Sequence, residues 1–224
     1  MIFTFPFNLI PENGNQLLFV EGVLVTKIQP MFSTSFQSAT ETLKASHLQD
    51  PHLELNGSEE LPAEWLYVSR LLDCLQKVYP EASEALTIAA YCQHLFRWEI
   101  KRTTYPEGRI GYYQWRNFLG EYQADKAAVI LKSSGYTDDF IQEVTAILKK
   151  LNISRLEESQ KLEDVVCLVF LEHYMTDFIP GKSEAQLIQI VQKTWSKMSD
   201  HGHRIALELN LPEPTRRIVE QALG

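Results

Sequence analysis

Two adjacent carboxylates, Glu163 and Asp164, stand at the start of the most apolar run in the chain, Val165 to Leu171. A carboxylate taken out of water needs a hydrogen-bond donor, a cation or a metal. Asp164 is therefore expected to point into a polar pocket between helices, with Glu163 beside it. The competing reading makes both residues first-turn acids, favoured by the positive end of a helix dipole. The groups best suited to face them lie in Gln93-His94-Leu95-Phe96-Arg97-Trp98-Glu99. Read as helix, this segment puts His94 one turn from Trp98 and Gln93 one turn from Arg97. Downstream, Lys101, Arg102, Arg109 and Arg116 are interleaved with Tyr105, Tyr112, Tyr113 and Trp115. A basic, aromatic stretch is anomalous in a chain whose formal charge is −8. Arg97, Arg102 and Arg116, with Tyr105, form a candidate site for a phosphate or carboxylate, because guanidinium forks match those groups. The structural alternative is that these arginines neutralise Glu99, Glu107, Glu163 and Asp164 in ion pairs. His94 and Asp164 together are also a candidate divalent-metal pair. His94, Glu163 and Asp164 are the residues to which catalysis would fall.

Known chemical signatures are otherwise missing. The chain has no GxGxxG, P-loop, GxSxG or HExxH pattern. His201-Gly202-His203 pairs two histidines but has no third ligand nearby in sequence. Cys74, Cys92 and Cys167 form no CxxC spacing and sit in apolar contexts, as buried thiols do. Their odd, sparse count fits a reducing compartment, and a cytoplasmic location is expected. The acidic balance argues against a nucleic-acid face. No run reaches the roughly 20 apolar residues that span a bilayer, so no membrane association is expected.

The elements that would position these groups are helices. Residues 1–30 differ: Pro11-Glu12-Asn13-Gly14 signals a turn, and Phe19-Val20 and Val23-Leu24-Val25 flank Glu21-Gly22 as a hairpin would. Two or three short strands are expected there, and that extension is a candidate for pairing with a protein partner. From Thr34 the pattern turns helical. Helices are expected over about 38–47, 62–78 (opened by Pro62), 83–100, 110–133 (closed by Gly135), 138–150 (capped by Thr137), 162–178, 184–199 and 212–223. Residues 49–62, with Asp50-Pro51 and Asn56-Gly57, read as loop. The segment 162–178 is apolar on every face in its middle, so it should be the central buried helix of an all-α bundle. The organisation expected is a β-like extension, 1–30, followed by a helical domain, 31–224.

Several spaced groups resemble one family, the DUF4202 proteins, a domain of unknown function. They include Glu64-Trp65-Leu66-Tyr67, Gln93-His94, Arg97-Trp98-Glu99-Ile100 and Arg102. Further on come Tyr105-Pro106, Gly111-Tyr112, Trp115-Arg116, Gly135-Tyr136, Leu162-Glu163-Asp164 and Cys167-Leu168-Val169-Phe170-Leu171-Glu172. The resemblance runs from about Phe32 to the C-terminus. Through it the chain also resembles, loosely, the HD-type metal-dependent phosphohydrolases, which implies an HD-like helical fold and a divalent metal. His94 and Asp164 would hold the first and last ligand positions. At the middle position relatives tend to carry a histidine before Ala124, where this chain has Gln123. Three readings follow: a protein with a pocket for an anionic small molecule, an HD-like phosphohydrolase, and a non-catalytic interaction module.

Overall fold

The computed structural model describes residues 33–151 and 156–224 together with two short strands in the preceding segment. The chain divides into two compact units, residues 1–33 and 34–224. In the first, β1 (Leu18–Val20) and β2 (Val23–Val25) pair antiparallel, with Phe19 opposite Leu24 and Val20 opposite Val23. These are the two strands that the β-branched runs predict. The Pro11–Gly14 turn and any third strand lie outside the described residues.

The second unit is a helical bundle. Its elements are α1 (Thr34–His47), β3 (Leu53–Asn56), β4 (Glu59–Pro62), α2 (Ala63–Val78), α3 (Glu84–Tyr91), α4 (Gly108–Ser133), α5 (Asp138–Leu148), α6 (Glu157–Val169), α7 (Met175–Phe178), α8 (Glu184–Trp195), α9 (Asp200–Glu208) and α10 (Glu213–Leu223). The local signals work where they are strong. Thr137 caps α5 by accepting from the Phe140 amide, and Ser183 closes a capping box on α8. Pro62 immediately precedes α2.

The segment 162–178 does form the centre. Leu162, Val165, Leu168, Leu171 and Met175 are all buried in one core with residues of α1, α2, α3 and α5. The segment is not one uniform α-helix. Between α6 and α7, residues Phe170–Tyr174 wind as a π-helix, a local widening that recurs at functional sites. Nor is every face enclosed: Val166 and Phe170 are only half-buried.

Three expectations need correction. Residues 49–62 are not simple loop, since β3 and β4 pair as a hairpin with Asn56 opposite Glu59. Gly57 takes the left-handed turn position, φ 67°. The expected helix 83–100 stops at Tyr91, because His94 and Phe96 adopt left-handed backbone (φ 59° and 54°) and only a short 3-10 turn, Arg97–Glu99, follows. His94 and Trp98 therefore do not share a helical stripe. Finally, the expected helix 184–199 ends at Trp195, and His201-Gly202-His203 lies in the first turn of a separate helix, α9, which Ser199 caps by accepting from the Gly202 amide.

Candidate functional site

The left-handed backbone at His94 costs energy for any residue with a Cβ, and the side chain shows what holds it. The imidazole stacks on Tyr67 of α2, ring centres 3.9 Å apart and nearly parallel. Its Nδ1 lies 2.8 Å from Oε2 of Glu64, and the Arg97 guanidinium approaches Nε2 at 2.7 Å. An arginine can only donate, so Nε2 accepts and Nδ1–H donates to Glu64. Burial, reinforced by Arg97, pulls the imidazole down to about 4, against the opposing pull of Glu64. The ring is thus a neutral, fixed group at pH 7. The Arg97 guanidinium also lies over the Trp115 ring at 5.1 Å, and Trp115 Nε1 donates to the Ile100 carbonyl at 2.8 Å. Those contacts tie the turn after α3 to the first half of α4. Close approach does the rest: a Cβ on Gly111 would stand 1.9 Å from the Pro106 carbonyl oxygen.

On the other wall, Glu163 of α6 is 4% exposed. It pairs with Lys150, and Lys197 Nζ lies 3.3 Å from its other oxygen. Burial alone would raise this carboxyl, yet the two ammonium groups hold it below the usual carboxylate range. Lys150 has left-handed backbone, φ 54°. The Lys150 amide donates to the Ile147 carbonyl and the Leu151 amide to that of Ala146, which is the double closure that normally places glycine at this position after a helix. A lysine stands there instead, and its ammonium reaches the buried carboxylate.

Between these walls lies a cleft of about 1410 Å³. His94 and Tyr67 face it from one side, Glu163, Cys167, Phe170 and Tyr174 from the other, and α4 runs along it from Arg109 to Gln123. Its lining carries seven Lys or Arg (Arg97, Arg109, Arg116, Lys149, Lys150, Lys193, Lys197) against four Glu (Glu54, Glu64, Glu121, Glu163). That excess of cations is the reverse of the chain's overall balance. Lys149 is spent on Glu121. Arg116 and Lys193 make no ion pair among the described residues. Of the three non-glycine residues with positive φ among the described residues, two, His94 and Lys150, line this cleft.

The family model described as "Domain of unknown function (DUF4202)" matches residues 37–219. The chain belongs to this family. No curated protein and no solved structure matches it.

Within this DUF4202 domain the sequence-expected residues separate. His94, Arg97, Arg116 and Glu163 line the cleft; Asp164, Arg102 and Tyr105 do not. Asp164 is fully buried on the other side of α6. Its Oδ2 accepts from Tyr79 Oη at 2.6 Å and Ser199 Oγ at 2.5 Å, and its Oδ1 from the Ser199 amide at 2.7 Å and Gln160 Nε2 at 3.0 Å. It clamps the start of α9, where a Cβ on Gly202 would come within 2.8 Å of its carboxyl carbon. Successive helix residues point about 100° apart, so Glu163 and Asp164 have different surroundings. Arg102 donates to the Tyr105 and Gly108 carbonyls and so closes the loop before α4. Tyr105 packs near Phe118, ring centres 6.4 Å apart.

A divalent metal does not fit this donor set. Both His94 nitrogens are engaged, Asp164 is saturated elsewhere, and Gln123 offers an amide. Among the described residues no three His, Cys, Asp or Glu gather as a metal site. No helix among them is long and apolar enough to cross a membrane. Glu64, Tyr67, Lys150, Lys193 and Lys197 were not expected at the site from the sequence. A lysine where a helix C-terminus would take glycine was the one local clue.

Proposed function

We propose that the DUF4202 domain binds an anionic small molecule in the cleft between α4 and α6. The observation that supports this reading most is the inverted charge of the lining, with Arg116 and Lys193 left without a carboxylate. Arg116 of α4 and Lys193 of α8 both stand exposed at the cleft, where guanidinium and ammonium donors match phosphate or carboxylate groups in charge and geometry. The fixed His94–Glu64–Arg97 cluster supplies a rigid, neutral face opposite them. Strained backbone at two cleft residues supports the same reading, since such strain concentrates where a site demands it.

The test is thermal unfolding with inorganic pyrophosphate at constant ionic strength. A ligand at 100 times its dissociation constant stabilises the folded state by about 2.7 kcal/mol, which in a chain of this size raises the melting temperature by roughly 5–11 °C. Arg116→Ala and Lys193→Ala should each weaken the effect at least tenfold, while Arg102→Ala, which alters only the loop before α4, should keep it. No stabilisation of the wild type, or an unchanged shift in the Arg116→Ala Lys193→Ala double variant, would contradict the proposal.

A further inference from the structure

One stripe of α4 is built differently from the rest of the cleft. Arg116 and Gln123 are seven residues apart, so they lie on one face about 10 Å apart along the helix axis. Both line the cleft, and so does Gly120, one turn from each. A glycine inside a 26-residue helix is locally unfavourable. No packing demand explains it: nothing stands within 4 Å of the place a Cβ would occupy at Gly120. Gly111, in the same helix, is the contrasting case, since its Cβ would strike the Pro106 backbone. At the inner end of the stripe Gln123 is 7% exposed, and its Nε2 has no hydrogen-bond partner in the protein. A buried amide left unpaired is costly, so it is normally satisfied by something.

We infer that bare Gly120 is the floor of an elongated subsite, and that the ligand laid over it carries its anionic group at Arg116 and an uncharged carbonyl oxygen at Gln123 Nε2. This rests on the anion-binding reading above and adds the ligand's other end. The class is an acid bearing an amide or ketone several bonds from its charge. A simple inorganic anion would engage Arg116 and leave Gln123 unanswered. Gln123 is then a specificity residue, since it discriminates ligands by one hydrogen bond at a site that penalises leaving it unmade.

Calorimetric titration with two probes tests the inference: 5-phosphonopentanamide, and hexylphosphonate, which matches it in length and charge but lacks the carbonyl. The wild type should prefer the amide on the order of tenfold. Gln123→Leu should bring that ratio to near one without weakening hexylphosphonate. Gly120→Leu should weaken both probes at least tenfold while melting no lower than the wild type, an outcome that damage to the fold would not give. Equal binding of the two probes by the wild type overturns the inference and leaves the anion site standing, as does a preference that survives Gln123→Leu or affinities untouched by Gly120→Leu. Failure of both probes to bind the wild type overturns the inference and the anion site together.

Discussion

His94 should make the domain acid-sensitive in a defined window. Its imidazole is held near 4 when folded, chiefly by burial and then by Arg97, against an ordinary value of 6.5. The unfolded chain therefore binds the proton more readily than the folded one. The contribution is complete above pH 6.5 and is lost as pH falls towards 4. Linkage gives a loss of about 1 kcal/mol at pH 5.5 and roughly 2–3 kcal/mol at pH 4.5. The suitable variant is His94→Asn, because asparagine tolerates the left-handed backbone of this position (φ 59°) and does not titrate. Urea unfolding of both proteins from pH 7.5 to 4.5 isolates the effect, since every other titrating group is common to the two. With a slope of roughly 2–3 kcal/mol per molar urea, the wild-type midpoint should fall by about 1 M more than that of His94→Asn over this range. Parallel pH profiles would refute the reasoning, because they would mean that His94 protonates in the folded state as freely as in the unfolded chain.

Two further outcomes follow from the walls of the cleft. Lys150→Met should destabilise the domain by about 2 kcal/mol in urea unfolding, below the 3–5 kcal/mol typical of an orphaned buried charge, because Lys197 still reaches Glu163 at 3.3 Å. A neutral or stabilising result would contradict a structural role for that pair. Asp164→Asn should cost about 2–4 kcal/mol, since an amide turns a donor towards hydroxyls and amides that already donate. Pyrophosphate affinity of the folded Asp164→Asn protein should be unchanged, and a tenfold loss would place Asp164 in the site after all.

How much of this was legible depended on where each signal lived. Pro62, Thr137 and Gly135 act on their own backbone, so α2, α4 and α5 could be read from the chain. The end of α3 could not. No glycine or proline marks it, and the left-handed turn at His94 is held by Tyr67 and Glu64, about 30 residues earlier in sequence. The β3–β4 hairpin showed its turn, Asn56-Gly57, but not its strands, because Leu53 and Leu55 are exposed and face no core. Of the acidic pair at the start of the apolar run, Glu163 lines the cleft and Asp164 does not. Which acid faced the cleft was decided by the rotation of α6 against α2 and α9, a tertiary fact. The same rotation sends Asp164 to Tyr79 and Ser199 and separates it from His94. The π-helical turn at Phe170–Tyr174 that carries Phe170 and Tyr174 to the cleft has no local signature.

Whether Arg116 and Lys193 hold an anion in the cleft is tested most directly by a crystal structure of the domain grown with inorganic pyrophosphate. The anion should lie inside the cleft, with the Arg116 guanidinium or the Lys193 ammonium within hydrogen-bonding distance of its oxygens. Pyrophosphate bound only on the outer surface, with Arg116 and Lys193 turned to solvent, would contradict this placement.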